Sequence, residues 1–116
     1  KQFVSDKTNW RNMLKGEADL IDLAKIRDEC LAKAKVQIEE LQQQYGLVAV
    51  QMFNHSEVVE LDFPVTQYPE KVTSLNLDKQ PEVQGKLMGI KGQYLILDTG
   101  VINIRKYSGY ELTLEY

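Results

Sequence analysis

The apolar side chains of this chain change their spacing at Gly46, and no other feature constrains the fold as strongly. Before Gly46 they recur at steps of three or four residues, the period of an α-helix that buries one face. After Gly46 they alternate with polar residues at steps of two, which is typical of half-buried strands. The sequence therefore predicts an α+β fold, with a short and a long N-terminal helix packed on a small antiparallel sheet.

Two helices are predicted in the first part of the chain. The shorter one spans Asp6 to Lys15, with Ser5 or Asp6 as its N-terminal cap and Gly16 at its C-terminal end. The longer one spans Asp22 to Tyr45 and contains neither Gly nor Pro. One apolar stripe along the longer helix is expected to be buried, and its members are Leu23, Ile26, Cys30, Ala34, Ile38, Leu41 and Tyr45.

Short strands are predicted throughout the second part of the chain. Their ranges are 48–52, 58–65, 83–90, 94–97, 101–106 and 110–116. Gly85 and Gly89 lie inside one of them and indicate bulges or strong coiling. The connection 66–81 lacks a sustained period, and its apolar residues are expected to attach it to the core. Together these features predict a strongly coiled sheet or a small barrel.

Length and composition favour one globular domain over residues 1–116, with a helical part at 1–46 and a β-rich part at 47–116. The chain has 116 residues, of which 43% are hydrophobic and 27% charged, as is usual for such a domain. No apolar run approaches the roughly 20 residues of a membrane-spanning helix. No secretion leader is recognisable, and a lone cysteine favours a reducing compartment. We therefore expect a cytoplasmic protein without a membrane partner.

The residue types that build common catalytic and metal sites are scarce. One Cys and one His fall short of the paired ligands of a zinc site, and Cys30 is expected to be a core residue. His55 and Ser56 share a predicted turn, where adjacent side chains rarely converge. Glu60 and Asp62 lie on the solvent side of their predicted strand. The sequence thus predicts no catalytic residues, no metal and no cofactor.

Basic and aromatic side chains gather near the last turns of the predicted sheet. They are Lys91, Tyr94, Arg105, Lys106, Tyr107 and Tyr110. Cations that contact phosphates, together with rings that stack on bases, are the combination used by proteins that bind single-stranded nucleic acid. An ordinary sheet is the other interpretation, because tyrosines favour strands and edge strands carry cations against aggregation. A net charge of −3 confines any nucleic-acid binding to such a local patch.

Several segments of the chain resemble an uncharacterised bacterial protein family of unknown function. The segments are Asp6–Arg11, Met13–Gly16, Tyr68–Val72, Ser74–Lys79, Gly89–Leu95, Gly100–Lys106 and Gly109–Tyr110. Longer members of that family carry a cysteine-rich segment and a stretch similar to GIY-YIG nucleases upstream of this region. The resemblance therefore implies that this chain is the C-terminal portion of a larger protein, with any nuclease-like residues before Lys1.

Two functions from different classes follow from these observations. The first is an accessory domain that binds nucleic acid, or positions a substrate, for an upstream module. The second is a structural or protein-interaction domain whose long helix packs on a partner or a second copy. Apolar residues outside the main stripe, such as Leu20 and Leu31, favour the second. The expected partners are therefore nucleic acid, the upstream part of the same protein or another copy of this chain.

Overall fold

The structure is a computed structural model that describes residues 3–53 and 57–116. Its elements are α1 (Trp10–Lys15), α2 (Leu23–Tyr45), β1 (Leu87–Lys91), β2 (Tyr94–Leu97), β3 (Gly100–Asn103) and a 3₁₀ helix at Ile104–Tyr107. Two helices, one of them long, and an antiparallel sheet confirm the predicted α+β class. The predicted turn at Asn54-His55-Ser56 lies outside the described residues.

The chain divides into two compact units. The helical unit comprises Lys1–Thr8 and Asp19–Glu60, and the sheet unit comprises Asn9–Ala18 and Leu61–Tyr116. Every buried hydrophobic side chain among residues 3–53 and 57–116 belongs to the sheet unit, and these are Leu14, Ile96, Val101, Ile102 and Tyr107. The expectation of a single domain over 1–116 stays a prediction.

The three strands of the sheet unit are ordered β1-β2-β3 and pair antiparallel. The register of β1 on β2 shifts between Leu87 and Gly89, so the irregularity predicted at Gly89 is observed. One isolated bridge borders each outer strand, Val65 with Gly89 and Ser74 with Val101. The sheet is open, so the barrel, one of the two predicted forms, is not observed.

Helix α1 packs on one face of this sheet. It begins at Trp10 instead of Asp6, because Asn9 provides the cap: the Asn12 backbone N–H donates to Asn9 Oδ1 at 3.3 Å. The Ser5 hydroxyl is engaged locally, since it accepts the Lys7 N–H at 3.1 Å. Gly16 ends the helix with a left-handed φ of 73°, as predicted. Leu14 lies in the core cluster with Ile96 and Val101.

Helix α2 confirms the predicted bounds of the long helix but not its predicted burial. Asp22 caps it by accepting the Lys25 N–H at 3.0 Å, and it ends at Tyr45 before Gly46. None of its 23 residues is buried, and Leu23 and Tyr45 are 54% and 60% exposed. The predicted buried stripe is wrong, because the described part of the helical unit has no second helix or strand to cover it. In the described part of the chain, neither helix is both long and apolar enough to cross a membrane.

The first two strands predicted after α2 are absent. At 48–52 the backbone turns back on the helix end, and the Ala49 and Val50 N–H groups both donate to the Gly46 carbonyl at 3.2 Å. At 58–65 only the bridge at Val65 forms, flanked by a hydrogen bond from the Ile90 N–H to the Pro64 carbonyl. Both segments have the alternating pattern of a strand, but neither finds a neighbouring strand to complete a ladder.

The end of the chain also departs from the prediction. Strand β3 stops at Asn103, and the 3₁₀ helix replaces the rest of the strand predicted at 101–106. Residues 110–116 form no strand, with Leu112 and Leu114 exposed. The connection 66–81 does attach to the core as expected, because Val72 packs against the core cluster and the Leu75 N–H donates to the Val101 carbonyl at 2.9 Å.

Candidate nucleic-acid interface

The six basic and aromatic side chains predicted as a surface separate into two groups within the sheet unit. Lys91 and Tyr94 lie together at the end of β1 and β2, on the side of α1. Lys106, Tyr107 and Tyr110 gather around Asp78, in the connection before β1. The sixth, Arg105, is exposed.

The first group begins with a cross-strand pair. Lys91 and Tyr94 are register partners in β1 and β2, so their side chains stand on the same face of the sheet. The Tyr94 ring stacks on the Trp10 ring of α1, with the two centroids 5.8 Å apart and the planes 6° from parallel. The Arg11 guanidinium lies over the same Trp10 ring, 4.3 Å from its centroid. The stacked rings of Tyr94 and Trp10 thus have a cation on each side: Lys91 is the cross-strand neighbour of Tyr94, and Arg11 lies over Trp10.

Two further rings continue this arrangement beyond Lys91. The Lys91 ammonium lies 4.8 Å from the Tyr68 ring centroid and 5.8 Å from that of Phe63. It also donates a hydrogen bond to the Tyr68 hydroxyl at 3.2 Å. The resulting set is called the aromatic row below, and it consists of Phe63, Tyr68, Lys91, Tyr94, Trp10 and Arg11.

Local structure explains how residues far apart in sequence form the aromatic row. The Thr66 N–H donates to the Met88 carbonyl at 2.8 Å, which holds the segment carrying Phe63 and Tyr68 against β1. Tyr68 also lies close to the end of α1: a Cβ added at Gly16 would be 2.8 Å from the Tyr68 Cδ2 atom. Glycine at that position therefore provides both the left-handed turn and the space for the ring.

Neither cation of the aromatic row is neutralised by a carboxylate among the residues that the structure describes. Within the described part of the chain, neither Arg11 nor Lys91 forms an ion pair. Asn103, the register partner of Tyr94 in β3, has a buried Oδ1 atom without a hydrogen-bond partner. The row thus combines uncompensated positive charge with aromatic surface, the chemistry that phosphates and bases require.

The second group is a tightly bonded cluster around Asp78. The Lys106 ammonium donates to Asp78 Oδ2 at 3.0 Å and to Asn76 Oδ1 at 3.1 Å. The Tyr110 hydroxyl donates to Asp78 Oδ1 at 2.9 Å. The Tyr107 hydroxyl donates to Asn76 Oδ1 at 3.3 Å, and Tyr107 as a whole residue is only 3% exposed. These contacts attach the 3₁₀ helix and the residues after it to the connection before β1.

The hydrogen bonds of this cluster shift the pKa values of its members. The bond from Lys106, and after it the bond from Tyr110, lowers the pKa of the Asp78 carboxyl below its ordinary 3.8. The bond to Asp78 raises the pKa of Lys106 above 10.5 and that of Tyr110 above 10.0. Because Lys106 is already paired with Asp78 and Tyr107 is buried, they offer less to a phosphate or a base than the aromatic row does. Their predicted binding role stays a prediction.

In the described part of the chain, no three His, Cys, Asp or Glu side chains converge as ligands for a metal ion. Cys30, which the sequence predicts as a core residue, is half-buried on α2. His55 and Ser56 lie outside the described residues. Glu60 and Asp62 are exposed, but the strand that was predicted to carry them is absent.

One protein family matches almost the whole chain. The model of the family described as a protein of unknown function (DUF2797) covers residues 1–112. The chain belongs to this family. No curated protein and no solved structure matches the chain. The resemblance to a family of unknown function is thereby confirmed, whereas the cysteine-rich and nuclease-like segments expected in longer members stay a prediction.

The aromatic row of this DUF2797 chain includes residues that the sequence did not single out as a site. Trp10, Arg11 and Phe63 are not among the residues of the predicted surface. Trp10 and Arg11 fall inside Asp6–Arg11, and Tyr68 falls inside Tyr68–Val72, two of the segments that carry the family resemblance. The contact of α1 with β2 joins distant parts of the chain, so no local pattern could reveal it.

Proposed function

We propose that this DUF2797 domain binds nucleic acid through the aromatic row and serves as an accessory, substrate-positioning domain of a larger protein. The observation that carries the proposal is the aromatic row itself, in which ring stacking and cation–π contacts join two cations to four rings and the cross-strand pair of Lys91 and Tyr94 links its two halves. Phosphate contacts supply most of the affinity of such surfaces, and rings add stacking that tolerates any base.

The charge distribution supports this role in spite of the net charge of −3. Arg11 and Lys91 have no ion-pair partner in the part of the chain that the structure describes, so no carboxylate there competes with a phosphate for them. Arg105 is likewise exposed and unpaired there, and it remains a candidate contact on the same unit. With so few cations, the affinity should be modest and should fall steeply with salt.

A charge-matched comparison tests the proposal. Fluorescence anisotropy of labelled single-stranded 12-mers of RNA and DNA would be measured at several low salt concentrations. The row variant carries Arg11→Gln and Lys91→Gln, and the control carries Lys25→Gln and Lys33→Gln, two exposed cations of α2. Both variants lose two positive charges, so a nonspecific effect of net charge would weaken binding equally.

The row variant should bind more weakly than the wild type, and the slope of log K against log salt should fall by about 1.4. The control should keep the wild-type slope. Equal losses in the two variants would contradict a role for the row. Absence of binding by the wild type to both oligonucleotides at low salt would remove the proposal altogether.

A protein-interaction domain is the second candidate, because no residue of α2 is buried. Leu31, Ile38 and Met52 line a cleft of about 360 Å³ in the helical unit, bordered by the ion pair between Lys35 and Glu39 at 3.8 Å. Exposed apolar helix faces of this kind commonly mark protein contacts. Under this candidate the contact is self-association through α2.

Sedimentation velocity over micromolar concentrations tests self-association. A dimer that is weakened by Leu41→Glu, on the exposed stripe, and retained with Gln43→Glu, on the polar side of the helix, would support the second candidate. Sedimentation of the wild type as a monomer throughout would exclude it at those concentrations.

A further inference from the structure

The ring of Trp10 in the aromatic row is covered by the neighbouring Arg11 side chain. The Arg11 guanidinium lies 4.3 Å from the Trp10 centroid and is exposed. Within residues 3–53 and 57–116, it forms neither a hydrogen bond nor an ion pair. Its position therefore depends on the cation–π contact alone. Such a contact is weak when it is exposed to water.

A nucleic-acid base is a stronger partner for that ring surface than the guanidinium. Stacking of a base on an aromatic side chain exceeds an exposed cation–π contact in free energy. A guanidinium also loses little by leaving the ring, since its planar set of donors matches the oxygens of a phosphate. Exchange of the two partners would improve both contacts at once.

We propose that Trp10 is the stacking site for one unpaired base, and that Arg11 leaves the ring to bind the phosphate of the same nucleotide. This inference rests on the proposed function, and it names the ligand class as single-stranded nucleic acid. In a duplex, every internal base is already stacked on both faces and is closed to Trp10. RNA and DNA share the base and the phosphate that the site recognises, so both are tested.

Trp10 reports on this site directly because it is the sole tryptophan of the chain. The full chain would be titrated at low salt with single-stranded 12-mers of RNA and DNA. A duplex and an abasic 12-mer, which keeps the phosphates but lacks the bases, serve as controls. Anisotropy of the labelled oligonucleotide measures binding, and Trp10 emission measures stacking.

The single strands should quench Trp10 emission with the same midpoint as the anisotropy change. The abasic strand and the duplex should bind without quenching. In Arg11→Ala the quenching should persist, because the ring surface is then open, while the salt slope falls by about 0.7. Trp10→Leu should weaken single-strand binding roughly 5- to 150-fold, and circular dichroism checks that the variant is folded.

The failure of this inference and the failure of the proposed function give different results. If anisotropy reports binding of single strands but Trp10 emission stays constant, or if Arg11→Ala abolishes the quenching, the stacking site is refuted and nucleic-acid binding stands. If no oligonucleotide changes the anisotropy, the stacking site and the proposed function are both refuted. If RNA alone or DNA alone gives quenching and binding, the inference holds for that nucleic acid.

Discussion

Gly89 provides a sharp test of how the aromatic row is assembled. A Cβ added there would lie 2.7 Å from Val65 Cα and 2.9 Å from the Pro64 carbonyl oxygen. Both are backbone atoms, so no side-chain rotation can relieve the contact. Gly89→Ala must instead push the segment that carries Phe63 away from the edge of β1.

The expected loss of stability follows from the contacts that would break. Two backbone hydrogen bonds join this segment to β1, from Thr66 to Met88 at 2.8 Å and from Ile90 to Pro64 at 3.0 Å. Their loss costs about 1 kcal/mol each, and the inserted methyl adds about 1–3 kcal/mol. The lower entropy of the unfolded Ala variant offsets about 0.5–1 kcal/mol. The net destabilisation should be about 2–4.5 kcal/mol.

Urea unfolding followed by Trp10 fluorescence measures this change, because Trp10 belongs to the sheet unit. Gly92→Ala is the matched control: its φ is +57° and no atom lies within 4 Å of an added Cβ, so only backbone strain of about 1 kcal/mol applies. The reasoning would be refuted if the free energy of unfolding of Gly89→Ala were within about 0.5 kcal/mol of the wild-type value. It would also be refuted if Gly92→Ala were less stable than Gly89→Ala.

Three further predictions concern the core and the Asp78 cluster. Leu14→Ala should lower the free energy of unfolding in urea by about 2–5 kcal/mol, because Leu14 is fully buried. Leu20→Ala, at a fully exposed site, should change it by less than about 0.5 kcal/mol, and similar losses in both variants would contradict the burial of Leu14. Tyr107→Phe should lower the free energy of unfolding by about 1–2 kcal/mol, since the Tyr107 hydroxyl accepts the Leu77 N–H at 2.9 Å. An unchanged urea midpoint would contradict a contribution of this hydrogen bond to stability. The pKa of Asp78 is lowered below 3.8 in the folded protein, so its stabilisation is present above pH 3.8 and is lost as the pH falls below that value. Asp78→Asn should therefore be less stable at neutral pH and lose less stability than the wild type between pH 5 and pH 2, and equal acid sensitivity of the two would count against the cluster.

Local sequence signals were sufficient for several elements of the fold. Helix α2 has the predicted end at Tyr45, because a long stretch without Gly or Pro stops at a glycine that adopts a φ of +89°. Strand β2 matches its predicted range, 94–97, since turn residues stand on both sides of a short apolar run. In both cases the residues that set the boundary are adjacent to it.

Alternation, in contrast, predicted strands that the chain does not form. The pattern at 58–65 or 110–116 tells which side chains would share a face, but a strand also needs a neighbour to bond with. The same limit applies to the candidate site. Lys106 was predicted as a cation that contacts phosphate, and nothing in the sequence indicated that Asp78 in the irregular connection pairs with it at 3.0 Å. The partners of Tyr94 and Lys91 likewise come from α1 and from the segment before β1.

The most direct test of nucleic-acid binding by the aromatic row is a residue-resolved titration. Proton–nitrogen NMR spectra of the full chain would be recorded while a single-stranded oligonucleotide is added at low salt. The account predicts shifts of the Trp10 indole and of the Lys91 and Tyr94 amides, with the amides around Asp78 little changed. Shifts confined to the Asp78 cluster or to α2, or a spectrum that does not change, would contradict it.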